Sequence, residues 1–334
     1  MHLDKLKVKI VFLCINAQNK FLSILRRIFF LPFKSPKKIL IFRNGSIGDS
    51  ICALPTISSI NKNFPDVHID ILSRSEKETY SNLKEIISTE YYKNYYSYNS
   101  KNYFAIYKRL KREKYDLVIQ LPNRKASLFQ LVRDMFAFKL LGVGSGLGWE
   151  IDFVPLFKKE QEKYIVRKNE VERLKEIIKK HDLHLYPDEY KINISKRDKD
   201  YVDLLLKTKK INFGCRSIAI AVGANRVHNR WPIENFNEVI NYFTPEYNVF
   251  LIGGGGERLM ISKIENKINV FNFCGELTPV QSALLIKMCI ITISNDSGPM
   301  HLSYAVGVTV LGIPTSKYKL QSYKTSTDRL FLML

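Results

Sequence analysis

The sequence predicts an α/β protein of two doubly wound, Rossmann-like domains that face a central cleft. Three observations carry that prediction. The chain has 334 residues, of which 46% are hydrophobic, enough for about two domains with substantial cores. Short apolar runs alternate with helical patterns along most of its length, as a parallel sheet covered on both faces requires. Near the C-terminal end, the apolar run Ile290–Ile293 leads into Ser294-Asn295-Asp296-Ser297-Gly298-Pro299-Met300-His301 and then a short helix over Leu302–Gly307. A strand, a small-residue turn and a helix start form the usual anion site of such sheets, because free N–H groups and the helix dipole point at the turn.

The elements follow in order from Lys37. The first half reads as a strand at Lys38–Phe42, a helix at Ile47–Asn63, a strand at Val67–Leu72 and a helix at Glu76–Ile87. A strongly basic helix at Tyr103–Lys114, a strand at Asp116–Leu121, a helix at Ala126–Phe138 and a charged helix at Glu170–Lys180 come next. Leu183–Asp188 reads as a connector containing Pro187. The second half reads as a helix at Asp200–Lys209, a strand at Ser217–Val222, and a helix at Pro232–Phe243 opened by its proline. A strand at Tyr247–Ile252 then leads into four glycines and a helix from Glu257. A strand at Val270–Phe273, a helix at Pro279–Met288 and strands at Ile290–Ile293 and Val308–Ile313 complete it. The expected division is 1–36, 37–185 and 186–334, with the ligand site in the cleft between the two larger parts.

Residues 1–36 form a basic extension. Residues 1–40 carry nine Lys/Arg against the single acid Asp4, a large share of the net charge of +20. Phe21, Leu22, Ile24, Leu25, Ile28 and Phe29 fall mostly on one helical face, with Lys20, Arg26 and Arg27 interleaved. Two readings stay open: a helix lying on an anionic membrane surface, and a helix packed on the protein itself. No stretch of 18 uncharged apolar residues occurs, so a spanning helix is not expected. A secretory signal stays open as a reading, against which Val8–Ile15 is a short apolar region, is broken by Lys9 and lacks a clear cleavage site.

The positive charge calls for an anionic partner. Helix-turn-helix, zinc-finger and RNP-like patterns are missing, so nucleic acid is not the expected one. The five cysteines are scattered, which suits a reducing compartment, and no His/Cys cluster has metal-ligand spacing. His181 and His184 read as surface histidines. Neither a metal nor a cofactor is expected.

Three more turns lie at strand ends. Arg43-Asn44-Gly45-Ser46-Ile47-Gly48-Asp49 follows the first strand. Gly45, Ser46 and Gly48 allow a tight entry to the helix, and Asp49 falls in its first turn, where the dipole favours an anion. Asp49 is then either a general base or a residue that only satisfies backbone donors. No Walker lysine or full dinucleotide fingerprint follows, which argues against a P-loop NTPase and against nicotinamide chemistry. Gly223 to Pro232 places Arg226 and Arg230 around a turn entering a helix, which suits a diphosphate or is simply a surface loop with unpaired arginines. Gly253–Gly256 permit close backbone approach, and Glu257 can bind ribose hydroxyls or simply occupy a first turn. In the last turn, Asp296 and Ser297 can meet a ligand, Gly298 lets it close, and His301 sits one turn into the helix, or the segment is simply an ordinary N-capped helix.

Taken in order, these stretches resemble glycosyltransferase family 9, the ADP-heptose:lipopolysaccharide heptosyltransferases. The residues that carry the resemblance are Lys38 to Asp49 with Leu54-Pro55-Thr56, Val171-Glu172-Arg173-Leu174, Asn229-Arg230-Trp231-Pro232, Gly253–Glu257 and Asn295–His301. The resemblance implies a GT-B fold and inverting, metal-independent sugar transfer from a nucleotide sugar, ADP-heptose above all. The implied acceptor is a lipopolysaccharide core or lipid-linked glycan, met in the cytoplasm at the inner face of the inner membrane. It implies Asp49 as the catalytic base, with Gly45, Ser46 and Gly48 on the acceptor side. Gly223, Arg226, Arg230, Gly254, Glu257, Asp296, Ser297, Gly298 and His301 are implied to bind the donor. Three features depart from the family pattern: Asn229 where lysine is common, the 36-residue extension, and only 18 residues after Ser316. They motivate a second reading, a catalytically weak protein of the same fold that binds a nucleotide sugar or acidic glycan.

Overall fold

The computed structural model describes residues 2–74, 83–165, 167–264 and 267–313. The chain divides into two units, Met1–Lys84 with Ser88–Glu189, and Glu85–Ile87 with Tyr190–Leu334. In order, the first part of the chain forms α1 (His2–Phe29), β1 (Lys38–Arg43), α2 (Ile47–Asn63), β2 (His68–Arg74) and α3 (Leu83–Ile86). It continues with β3 (Asn94–Tyr98), α4 (Tyr103–Glu113), β4 (Leu117–Leu121), α5 (Leu128–Leu140), β5 (Ser145–Leu147), α6 (Lys158–Tyr164) and α7 (Glu170–Lys179). The helix expected at Glu76–Ile87 lies partly outside the described residues, and only Leu83–Ile86 is seen helical. The stretch from Pro314 onward also lies outside them.

The strands of this unit are parallel in the order β3-β2-β1-β4-β5. Ile39 pairs with both Ile69 and Leu117, which makes β1 the central strand. Leu40, Phe42, Leu72 and Val118 pack with Leu131, Met135 and Phe138 of α5 and with Val11 and Leu22 of α1. Their neighbours Ile39, Ile41 and Ile119 are also fully buried and, by strand alternation, face the other side of the sheet. The strand order reverses at β1, because β2 and β3 extend one way and β4 and β5 the other.

Within the basic extension, the N-terminal segment is one long helix, His2–Phe29. It packs on α5 and α6. Val11 and Leu22 are fully buried, contributing about 1.5–3 kcal/mol each. The Asn19 amide donates to Ile151 O and accepts from Ile151 N, both at 2.8 Å. Beyond the helix, Phe30 stacks on Trp149 at 5.1 Å, and Leu31 bridges Ser145 of β5. Of the two open readings, the inward side of the segment therefore follows the second, a helix packed on its own protein.

The second unit contains α8 (Lys196–Thr208), β6 (Ser217–Ala221), α9 (Ile233–Phe243), β7 (Asn248–Leu251), α10 (Arg258–Ile261) and β8 (Val270–Asn272). It ends with α11 (Pro279–Lys287), β9 (Ile291–Asn295), α12 (Gly298–Ala305) and β10 (Thr309–Ile313). Its strands are parallel in the order β10-β9-β6-β7-β8, so β6 is central and the order reverses there. Ile218, Ile220, Val249, Leu251 and Ile293 pack with Phe236 and Ile240 of α9. Helix α8 begins at Lys196, four residues before the expected Asp200. Ser195 and Asp198 close a reciprocal cap there, with Asp198 N donating to Ser195 Oγ at 3.1 Å and Ser195 N to Asp198 Oδ2 at 3.1 Å. Pro232 is the residue just before α9 rather than inside its first turn.

His181 departs from a surface histidine. Burial, helped by nearby Arg26 and Lys180, pushes its imidazole down from 6.5 to about 4. The folded protein then binds a proton there less readily than the unfolded chain. That stabilisation is complete above pH 6.5, falls as pH drops from 6.5 to about 4, and does not change further below. His181→Gln should flatten this part of the stability–pH curve, read by urea titration across that range.

Candidate active site

In each unit the candidate residues gather at the carboxyl ends of strands where the strand order reverses, the position that favours ligand binding in open α/β sheets. In the first unit the turn after β1 enters α2 through a capping box. Ser46 is the N-cap residue, and both its N and its Oγ donate to Asp49 Oδ2, at 2.9 and 2.8 Å. This fixes one carboxylate oxygen, whereas Oδ1 has no hydrogen-bond partner among the described residues. The backbone-satisfying role expected as one alternative for Asp49 is thus met by Oδ2 alone. Gly45 is required by close approach, since a Cβ there would lie 2.4 Å from Asp49 Cβ.

Beneath this turn is a buried charge network that sequence reasoning missed. The Arg43 side chain is fully buried. It donates to Leu121 O at 3.1 Å, Pro122 O at 3.0 Å and Asp49 O at 2.9 Å. Its guanidinium thus joins the ends of β1 and β4 to the first turn of α2. Glu170 accepts from Arg43 at 3.3 Å, Arg124 at 3.3 Å and Arg173 at 2.7 Å. Burial alone would raise the Glu170 carboxyl, but Arg173, Arg43 and Arg124 outweigh it and hold it down at about 2. The only sequence signal was a charged residue ending an apolar strand.

In the second unit the turns after β6, β7 and β9 lie side by side, because those strands are neighbours. Asn295 is buried and links two of them. Its Nδ2 donates to Val222 O at 2.7 Å, and its Oδ1 accepts from Trp231 N at 3.0 Å. Asn229 adds a second tie, donating to Asp296 O and Oδ2 at 3.3 and 3.2 Å. Arg230 Nε donates to Ala224 O at 2.8 Å, leaving its terminal nitrogens without a hydrogen bond among the described residues, and Arg226 is exposed beside it. Glu257 folds over the turn after β6. A Cβ on Gly223 would meet Glu257 Cγ at 2.3 Å, and one on Gly254 would meet Glu257 Oε2 at 3.3 Å. Glycine at 223 therefore makes room for the carboxylate.

Helix α12 begins at Gly298, not at the expected Leu302. Ser297 is its N-cap residue, with extended backbone and a side chain that makes no capping bond. Pro299 fits the first turn because its missing N–H would have had no partner there. The earlier start places Gly298, with its uncapped first-turn amide, and His301 within α12 itself. All nine donor-side candidates thus belong to this unit, while Gly45, Ser46, Gly48 and Asp49 belong to the other. Among the described residues, no three His, Cys, Asp or Glu side chains group to hold a metal ion.

Two parallel-sheet α/β domains, each bearing polar turns at its switch point, make up a GT-B-like fold. The family description glycosyltransferase family 9 (heptosyltransferase) matches residues 103–330, more than half of the chain. The chain belongs to that family. It is 26% identical over 288 residues to lipooligosaccharide heptosyltransferase 2 of Campylobacter jejuni, covering 83% of this chain and 80% of that one. It is 21% identical over 299 residues to the lipopolysaccharide core heptosyltransferase OpsX of Haemophilus influenzae, covering 84% and 79%. Among solved structures, a family 9 glycosyltransferase from Veillonella parvula shares the fold with a TM-score of 0.69 at 17% identity, over 92% of this chain and 87% of that one. The ADP-heptose lipopolysaccharide heptosyltransferase II of Escherichia coli does so at 0.60 and 18%, over 83% and 84%.

Proposed function

We propose that the protein transfers a heptose, with inversion and without a metal, from ADP-heptose to a saccharide of a lipopolysaccharide core. Family membership supplies the reaction class, and the relatives' names supply donor and acceptor. One observation carries the chemistry: Asp49 is tethered through Oδ2 and presents Oδ1. In this reading Oδ1 takes the proton of an acceptor hydroxyl. The hydroxyl oxygen bonds to the anomeric carbon from the face opposite the diphosphate. The bond from that carbon to the diphosphate breaks, and ADP leaves.

Charge builds on the departing diphosphate. Arg226, Arg230, the turn at Gly223 and the uncapped start of α12 at Ser297 and Gly298 offset it. Glu257, close against Gly223 and Gly254, accepts from the ribose hydroxyls, while Asp296 and His301 grip the donor. Asn229, in place of the family's usual lysine, ties the turns after β6 and β9 through Asp296. It serves the scaffold of the site, and the arginines beside it bring the positive charge, so the weak-binder reading is not favoured. The enzyme works on the cytoplasmic side, peripheral to the inner face of the inner membrane.

A thermal-shift screen tests the donor. ADP and ADP-heptose at a hundredfold excess over Kd should raise Tm by about 5 °C. A shift with UDP or GDP but none with ADP would reject the reading. Gly45→Ala tests the turn: Asp49 must move off its cap, so kcat should fall about 10²-fold and the lost cap should cost about 1 kcal/mol of stability. Unchanged kcat would show that the tether is not needed.

A further inference from the structure

We infer that the outward side of α1, continued onto α5, is the surface by which the enzyme lies on an anionic lipid bilayer. The inference rests on the peripheral location proposed above, and it names the contact. Three sectors run along α1. One sector, with Val11 and Leu22, is sealed into the protein's core. A second carries Leu6, Leu13, Phe21, Ile24 and Ile28, spaced so that they share one helical stripe, and all are exposed, Leu13 at 67% and Ile28 at 68%. The third carries Lys5, Lys9, Lys20 and Arg27, also exposed and in line along the border of that stripe. An apolar stripe edged by cations is what a helix in a membrane interface presents.

The apolar surface does not stop at α1. Phe29 meets Phe136 of α5 at 6.3 Å, and Phe136, Leu140 and Phe129 of α5 are exposed, Phe129 at 76%. Arg133 and Lys139 lie exposed on the same helix. Tyr107 of α4 donates to Leu140 O at 3.1 Å, and the exposed side of α4 adds Phe104, Lys108, Lys111 and Arg112. Three neighbouring helices therefore expose aromatic and aliphatic side chains together with Lys and Arg. Their charge complements anionic lipid, which a purely apolar partner surface would not reward.

The orientation is in-plane. By length and composition, the stretch Asp4–Phe29 is apolar enough to cross a membrane. Its inner sector, however, is tied to the protein along its length. Lys7 pairs with Glu160 at 2.7 Å, Asn19 bonds twice to Ile151, and Leu22 is buried. Crossing would break these contacts, whereas lying flat keeps them and covers the exposed stripe.

Vesicle flotation of the full chain tests the surface, with phosphatidylcholine alone and with phosphatidylcholine mixed with phosphatidylglycerol. Binding should require the anionic lipid and weaken with salt. Lys20→Ala with Arg27→Ala should weaken it about thirtyfold, and Leu13→Asp with Ile28→Asp at least about tenfold. All four side chains are exposed, so melting and the ADP-induced thermal shift should stay at wild-type values. Those two readouts separate failure of this surface from failure of the functional reading. Unchanged vesicle binding in both variants would overturn the inference. So would protection of the N-terminus from protease inside sealed vesicles, which marks a spanning helix. A wild-type dimer in buffer that becomes monomeric in the Leu13→Asp/Ile28→Asp variant would assign the stripe to a second copy and overturn it too.

Discussion

Replacing Asp49 with asparagine should lower kcat by about 10²- to 10⁴-fold while leaving nucleotide binding intact. The substitution is selective because the two oxygens of Asp49 do different work. An asparagine Oδ1 can still accept from the N and Oγ of Ser46, which hold the wild-type Oδ2 at 2.9 and 2.8 Å. The turn keeps its cap, and what is removed is the carboxylate that accepts the proton in the proposed reaction. Asp49→Ala would mix in the loss of the cap, typically about 1 kcal/mol of stability. The donor-side turns belong to the other unit of the chain, so the ADP-induced thermal shift should match wild type. An asparagine variant with wild-type kcat would remove Asp49 from the chemistry.

The second large effect is expected at Arg43. Its guanidinium is fully buried and supplies donors to three backbone carbonyls and one carboxylate. Arg43→Met would leave the carbonyls of Leu121, Pro122 and Asp49 without that donor. It would also leave Glu170 with two arginine neighbours instead of three. Removing one partner of a buried pair typically costs about 3–5 kcal/mol. That is a large part of the roughly 5–15 kcal/mol that holds a domain folded. Denaturant unfolding should show the loss. The double variant Arg43→Met/Glu170→Met should lose less than the sum of the two singles, because the buried carboxylate is then gone as well. Because Arg43 holds the backbone of Asp49, kcat should fall more than nucleotide binding in the single variant. Strictly additive losses would mean that the two groups act independently.

Much of this architecture is legible in the sequence because its signals are local. The strands β1, β4, β6, β7 and β9 are short, largely apolar runs. Helix α2 occupies the span expected for it, Ile47–Asn63, and the structure shows a capping box of Ser46 and Asp49 at its start. The four strand-end turns were legible for the same reason.

The elements that escaped lack local signals. Strand β3 is Asn-Tyr-Tyr-Ser-Tyr, a polar-looking edge strand whose pairing with β2 only the fold supplies. Strand β5 has three residues. Helix α6 reads as a charged run, and it is held by the buried Gln161 amide, which donates to Val154 O at 2.7 Å. The full length of α1 was hidden because its lysines interrupt every long apolar run, while the helix hides one sector and exposes the others. The network at Arg43 and Glu170 joins residues 127 positions apart, so neither periodicity nor spacing could reveal it. That the donor-side candidates lie in turns at strand ends was expected. The ties that hold them, through Asn295 and Asn229, were not.

The most direct test is to incubate the purified chain with ADP-heptose, a heptose-accepting core saccharide and a metal chelator. The acceptor's mass and the released ADP are then followed together. The account predicts one heptose added per ADP released, unaffected by the chelator and abolished or nearly so in the Asp49→Asn variant. ADP-heptose bound but never transferred, or transfer that survives the loss of Asp49, would contradict it.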